Sequence, residues 1–120
     1  MTITYKTGKN LKVETTSASI DGNTISQYLK LGGTGTYSEL SVQFTTTASA
    51  KITVYYAAGT AGKYVKLLDS DCNVLEISTT PTEGSTSTMV SYTFDSVEAG
   101  SYAIASTNSS VYIYAIVIEY

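Results

Sequence analysis

Apolar and polar residues alternate with a period of two through most of this 120-residue chain. Leu40, Val42 and Phe44 are set against Glu39, Ser41 and Gln43, and Ile52, Val54 and Tyr56 against Lys51, Thr53 and Tyr55. A chain with that period turns one side chain inward and the next outward along an extended strand, so these segments read as half-buried strands. No segment has the length and period of a helix. The same reading places strands near Thr2–Lys6, Leu11–Thr15, Ser26–Leu31, Tyr64–Leu68, Val74–Ser78, Met89–Phe94, Ser101–Ser106 and Val111–Glu119. Between them stand residues that favour turns: Asp21-Gly22-Asn23, Gly32-Gly33-Thr34-Gly35, Ala58-Gly59-Thr60-Ala61-Gly62, Asp69-Ser70-Asp71, the Ser/Thr-rich stretch from Pro81 to Ser87, Ala99-Gly100 and Asn108-Ser109. Asp21-Gly22-Asn23 is the clearest tight turn. Many short strands at close spacing, with no fixed-period repeat, predict an all-β antiparallel β-sandwich, jelly-roll-like, with residues 1–120 as a single domain.

The last segment has two apolar faces. Val111, Ile113, Ala115 and Val117 fall on one, and Tyr112, Tyr114, Ile116 and Ile118 on the other, so both require cover. A central strand with core on both sides explains this, and so does a ligand surface on the tyrosine-bearing face.

Composition narrows the function. A hydrophobic content of 42% supports a folded core, whereas charged residues at 14% are well below the roughly 25% usual in soluble proteins. The surface is therefore mainly Ser, Thr, Asn and Gly, as is common on extracellular β domains. A net charge of −3 argues against general nucleic-acid binding, which draws its affinity from many basic side chains neutralising phosphates. Cys72 is the only cysteine, so no intramolecular disulfide is available. No apolar run reaches the roughly 18 residues of a membrane helix, and no membrane partner is expected. The start, Met1-Thr2-Ile3-Thr4-Tyr5-Lys6, lacks a basic head followed by an apolar stretch. A secreted module of this kind is therefore expected to come from a longer polypeptide.

Catalytic motifs are sparse. Without any histidine, the base-activated serine or cysteine arrangement is not available to Ser106-Thr107 or to Cys72. Glu14, Glu39, Glu76 and Glu98 occupy solvated or alternating positions, and nothing singles out a pair for glycosidic hydrolysis. Gly32-Gly33-Thr34-Gly35 lacks the Gly-Lys-Ser/Thr and following helix of a phosphate loop, and reads as a strand connection. Asp69-Ser70-Asp71-Cys72-Asn73 spaces oxygen ligands as a calcium loop does, but Val74 and Ser85 stand where that loop needs glycine and glutamate. The expectation is a non-enzyme with no cofactor, a calcium ion at the Asp69–Asn73 segment being the alternative.

What remains is eleven tyrosines and seven basic residues, all lysines. Tyrosine offers a flat apolar ring with a polar tip, and lysine a compact cation, a combination suited to a polar and possibly acidic ligand. Lys51 and Lys66 lie opposite Ile52/Val54 and Val65/Leu67, so they project outward, with Tyr55 and Tyr64 on the same outward sides. Were these two strands neighbours, two cations and two rings would share one exposed surface, with Lys63 beside the Gly59–Gly62 loop. Solubilising charge is the plainer role for such lysines.

From Tyr28 onward the order of segments resembles the small β-sandwich modules attached to bacterial pectate lyases, similar in type to the family 77 pectin-binding carbohydrate-binding modules. The likeness runs through Tyr28-Leu29-Lys30-Leu31-Gly32-Gly33-Thr34-Gly35, Val42-Gln43-Phe44-Thr45-Thr46, Lys51-Ile52-Thr53-Val54-Tyr55 and Tyr64-Val65-Lys66-Leu67-Leu68-Asp69. It closes on Ala99-Gly100-Ser101-Tyr102-Ala103-Ile104-Ala105-Ser106-Thr107 and Val111-Tyr112-Ile113-Tyr114-Ala115-Ile116. The resemblance implies a non-catalytic, secreted module that holds pectin, chiefly homogalacturonan, for an attached catalytic domain. Basic side chains would contact uronate carboxylates: Lys30 and Lys66, with Lys51 and Lys63 as neighbours. Beside that resemblance, the outward rings read from the alternation, Tyr55 and Tyr64, would pack against sugar faces. Cys72 departs from the pattern, standing where glycine is usual in the turn. Two rival readings are a module for a neutral β-glucan or xyloglucan and a structural or adhesive spacer in a surface protein.

Overall fold

The computed structural model describes residues 2–4, 10–20 and 22–120. Among the described residues ten strands appear in chain order: β1 (Thr2–Thr4), β2 (Asn10–Ile20), β3 (Asn23–Gly32), β4 (Ser41–Thr46), β5 (Ala50–Ala57), β6 (Val65–Asp69), β7 (Val74–Ile77), β8 (Val90–Val97), β9 (Gly100–Ser106) and β10 (Ser110–Glu119). They form two five-stranded sheets, β1-β4-β9-β6-β7 and β2-β3-β10-β5-β8, and every pairing between strands is antiparallel. From β3 onward the pairs β3·β10, β4·β9, β5·β8 and β6·β7 are those of one long hairpin, rolled so that successive pairs fall in alternate sheets. That winding is the jelly roll, and the expected all-β antiparallel sandwich is the observed fold.

The core follows from the period-two pattern. Leu29, Leu31, Ile52, Val54, Tyr56, Phe94, Val111 and Ile113 from the second sheet meet Val42, Phe44, Val65, Leu67, Tyr102 and Ile104 from the first. Each fully buried aliphatic or aromatic side chain in such a layer stabilises the fold by about 1.5–3 kcal/mol. Tyr56 is the polar pin of this core. Its ring is fully buried, and its hydroxyl donates to the Thr80 carbonyl and is hydrogen-bonded to Ser78 Oγ at 3.0 Å. Ser78 Oγ in turn accepts the Val65 amide at 3.1 Å, so the segment after β7 is tied to both sheets. Burial pushes the Tyr56 phenol above its ordinary pKa, the Ser78 hydrogen bond opposing this in part.

The β2–β3 hairpin and β10 run differently from the sequence expectation. The β2–β3 hairpin is longer than Leu11–Thr15 and Ser26–Leu31, because Ile20 faces Asn23 directly across a two-residue turn. Gly22 supplies a φ of +81° there, as such a turn requires; Asp21, and Tyr5 and Lys6 of the expected first strand, lie outside the described residues. The ladder slips by one residue between Thr15 and Ala18, a bulge that sets the register of everything below it. In β10 a second bulge falls between Ile113 and Ala115. Ile116 and Ile118 therefore pack on the core, opposite Val54 and Ile52, while Ala115 stands opposite Tyr55. Simple alternation had put Ala115 on the side of Ile113, and the extra residue reverses the faces.

The Gly-rich segment after β3 is a strand connection. A Cβ on Gly35 would lie 2.4 Å from the Leu40 carbonyl oxygen and 2.7 Å from the Ala105 Cβ, so only glycine lets the chain pass this close to β9. At the other end of the first sheet, Asp69 Oδ1 accepts the amides of Asp71 and Asn73, both at 2.9 Å, and Oδ2 accepts the Asn73 side-chain amide. Those bonds, the Asn73 amide first, hold the carboxyl below its ordinary pKa and commit it to shaping the β6–β7 turn. Cys72 sits in that turn with a φ of +65°, the conformation for which glycine is the favoured residue.

Candidate functional site

The outward side of the second sheet carries a cluster of aromatic rings beside a lysine. Because β3 alternates, Leu29 and Leu31 point into the core while Tyr28 and Lys30 point away from it. In β10, Tyr112 is paired with Lys30 in register, which puts the two on one face. The Lys30 Nζ lies 5.7 Å from the centre of the Tyr112 ring, within cation–π range. Tyr28 meets Tyr112 edge to face, with ring centres 4.9 Å apart and planes at 77°. On its other side it stacks on Tyr114 at 5.2 Å and 21°. Tyr55 of β5 joins the same cluster with Met89, Ile25 and Ala115.

The rings divide into support and surface. Tyr114 is 7% exposed, and its hydroxyl donates to the Thr86 carbonyl, fastening the loop before β8 over this part of the sheet. Ala57 and Ile20 are buried beneath the same cover. Tyr28, Tyr55, Tyr112 and Lys30 stay half-buried, so each keeps part of its surface open to solvent. A platform of rings fixed by packing, with a cation resting on one of them, is pre-organised to hold a flat ligand with an apolar face and a polar rim. Lys12 stands opposite Lys30 in the β2–β3 ladder, which places a second basic residue at that register position.

The residues singled out from sequence do not converge as one patch. Lys30 and Tyr55 belong to this face. Lys51 is exposed at the far end of β5, paired with Glu119. Lys66 is in the first sheet, between Ala105 and Ile77. Tyr64 immediately precedes that strand, and its carbonyl accepts the Thr107 amide and hydroxyl. Lys63 lies in the preceding connection, its amide donating to Thr82 Oγ1. The expectation that Lys51/Tyr55 and Lys66/Tyr64 share a surface if their strands are neighbours fails on topology, since β5 and β6 lie in different sheets. Tyr28 and Tyr112 were missing from the sequence-derived set. Their signal was present in the alternation Tyr28-Leu29-Lys30-Leu31 and in the two-faced last strand.

Comparison with solved structures places the fold. At 17% identity and a TM-score of 0.60, the chain is similar to the carbohydrate-binding module CBM6cm-2 of Cellvibrio mixtus lichenase 5A, a structure in complex with cellotriose; 98% of this chain and 91% of that one are covered. A second match is the C-terminal CBM6 of LamC, a laminarinase of Zobellia galactanivorans, at 17% identity and TM-score 0.55, over 92% of this chain and 88% of that one. A third is the CBM22-1 xylan-binding domain of Paenibacillus barcinonensis Xyn10C, at 12% identity and TM-score 0.51, over 97% and 83%. No protein-family model and no curated protein matches the sequence. The two-sheet sandwich is thus an architecture shared with carbohydrate-binding modules, while the pectin-binding part of the resemblance rests on the sequence alone.

Proposed function

We propose that the protein is a non-catalytic carbohydrate-binding module that holds a plant cell-wall polysaccharide on the outer face of its second sheet. The observation that carries this reading is the Tyr28–Tyr112–Tyr114 cluster with Lys30 over Tyr112, on a sandwich shared with carbohydrate-binding modules. Half-buried tyrosine rings take the apolar C–H faces of pyranose rings, and the Lys30 ammonium takes a carboxylate or hydroxyl at the sugar edge. An acidic, pectic chain such as homogalacturonan is the ligand that uses this cation fully. Within a larger secreted polypeptide the module would raise the local concentration of an attached enzyme on insoluble substrate.

Affinity electrophoresis tests this reading, in gels containing low-ester homogalacturonan, xyloglucan or no polymer, each at low and high salt. Retardation by homogalacturonan that fades with salt supports it, because exposed lysine–uronate contacts are screened over roughly 8–10 Å at physiological ionic strength. Retardation by xyloglucan alone, insensitive to salt, would assign the rings to a neutral glycan, a reading favoured by the cellotriose-bound and xylan-binding structural neighbours. Absence of any retardation would leave a structural spacer.

A further inference from the structure

We infer that the tyrosine face is one end of a longer track, and that a second saccharide subsite, for a neutral pyranose, lies at the other end around Tyr120. This inference rests on the reading of that face as a glycan-binding surface. The outward positions of β5 run Lys51, Thr53, Tyr55, Ala57, and Ala57 is paired with Tyr112. Six residues of strand span about 20 Å, so Lys51 and the Tyr112 ring mark the ends of a path along the strands. Between them the outward neighbours in β10 are Val117 and Ala115, opposite Thr53 and Tyr55. Thr53 bonds Thr93 of β8 through their hydroxyls at 2.9 Å. The middle of the track is therefore floored by Thr53, Thr93, Val117 and Ala115, followed by the half-buried ring of Tyr55.

Lys51, at the far end of the track, also lines a groove with Ser49, Ala50, Ser96, Glu119 and Tyr120. Tyr120 is 68% exposed, yet its hydroxyl accepts the Thr47 amide at 3.3 Å. An exposed aromatic ring tied at its tip has already given up rotational freedom, so less is lost when a sugar stacks on it. Glu119 is paired in register with Lys51, so the two stand side by side on this face. The carboxylate accepts from sugar hydroxyls, Lys51 donates to them, and their opposite charges leave no net attraction for a uronate here. The groove thus offers one platform, one acceptor and several donors, the set that a neutral pyranose requires.

The test is calorimetric titration of the chain with two series, oligogalacturonides and cello-oligosaccharides, each from disaccharide to hexasaccharide. In the unsubstituted protein, affinity is expected to rise with length until the chain reaches both ends. Tyr120→Ala is expected to lower affinity for the longest cello-oligosaccharide about tenfold, with a smaller loss for the longest oligogalacturonide, and to leave the shortest ligands unchanged, while Tyr112→Ala weakens every length. Thermal melting of each variant reports whether it remains folded, and Tyr120→Phe, which keeps the ring, should retain most of the long-chain gain. Equal affinity of Tyr120→Ala and the parent for the hexasaccharides would overturn the second subsite while leaving the tyrosine face intact. Binding of neither series by the parent would overturn both readings.

Discussion

Removal of one buried hydroxyl measures how the two sheets are tied. In Tyr56→Phe the ring stays in the core, where Tyr56 is fully buried, but the hydroxyl that donates to the Thr80 carbonyl and bonds Ser78 Oγ is lost. Ser78 Oγ keeps the Val65 amide, so the Thr80 carbonyl bears most of the loss. Leaving such a buried acceptor without its donor costs about 1–3 kcal/mol, which for a domain of this length lowers the melting temperature by about 4–12 °C. The variant should also change the alkaline limb of stability. Burial raises the Tyr56 pKa above the unfolded value near 10. Its contribution is therefore fully present below that pH and lost as pH rises through the folded value, because the unfolded chain releases the proton first. Denaturant titrations of parent and variant from neutral to strongly alkaline pH provide the assay. A variant as stable as the parent at neutral pH, with the same alkaline slope, would refute the claim that this hydroxyl pins the core.

Other consequences are accessible to simple assays. The Tyr92 phenol is raised chiefly by its hydrogen bond to the Glu76 carboxylate, so Glu76→Gln should bring its titration down towards the ordinary tyrosine value, read by phenolate absorbance in the ultraviolet. Cys72 holds a left-handed φ at an exposed turn, so Cys72→Gly should gain about 0.5–1 kcal/mol in denaturant unfolding. Thr46 Oγ1 donates to the Glu98 carbonyl at 2.8 Å and accepts the Gly100 amide at 3.1 Å while buried. Thr46→Val should accordingly lose about 1–3 kcal/mol in the same unfolding assay.

The strands and their inward faces were legible because a half-buried strand writes its alternation directly into the chain, as in Leu40–Phe44 and Ile52–Tyr56. The faces of β10 were not, because one inserted residue between Ile113 and Ala115 swaps inside for outside without any compositional mark. The same holds for Lys12. Counting back evenly from the Asp21-Gly22 turn sets it against Leu31, and only the bulge between Thr15 and Ala18 sets it against Lys30. The lysines were misplaced for a related reason. Alternation tells whether Lys51 and Lys66 point outward, but not which sheet owns each strand, and β5 and β6 fall in opposite sheets. Tyr28 and Tyr112 come together only through the β3–β10 pairing, between segments some eighty residues apart in sequence.

The central claim, that the ligand lies on the second sheet at the tyrosine–lysine cluster, is tested most directly by retardation of Tyr112→Ala and Lys66→Ala beside the parent in one polysaccharide gel. Tyr112→Ala should be retarded much less than the parent, and Lys66→Ala, altered in the other sheet, should be retarded like the parent. Full retardation of Tyr112→Ala together with free migration of Lys66→Ala would place the ligand on the first sheet and contradict the account.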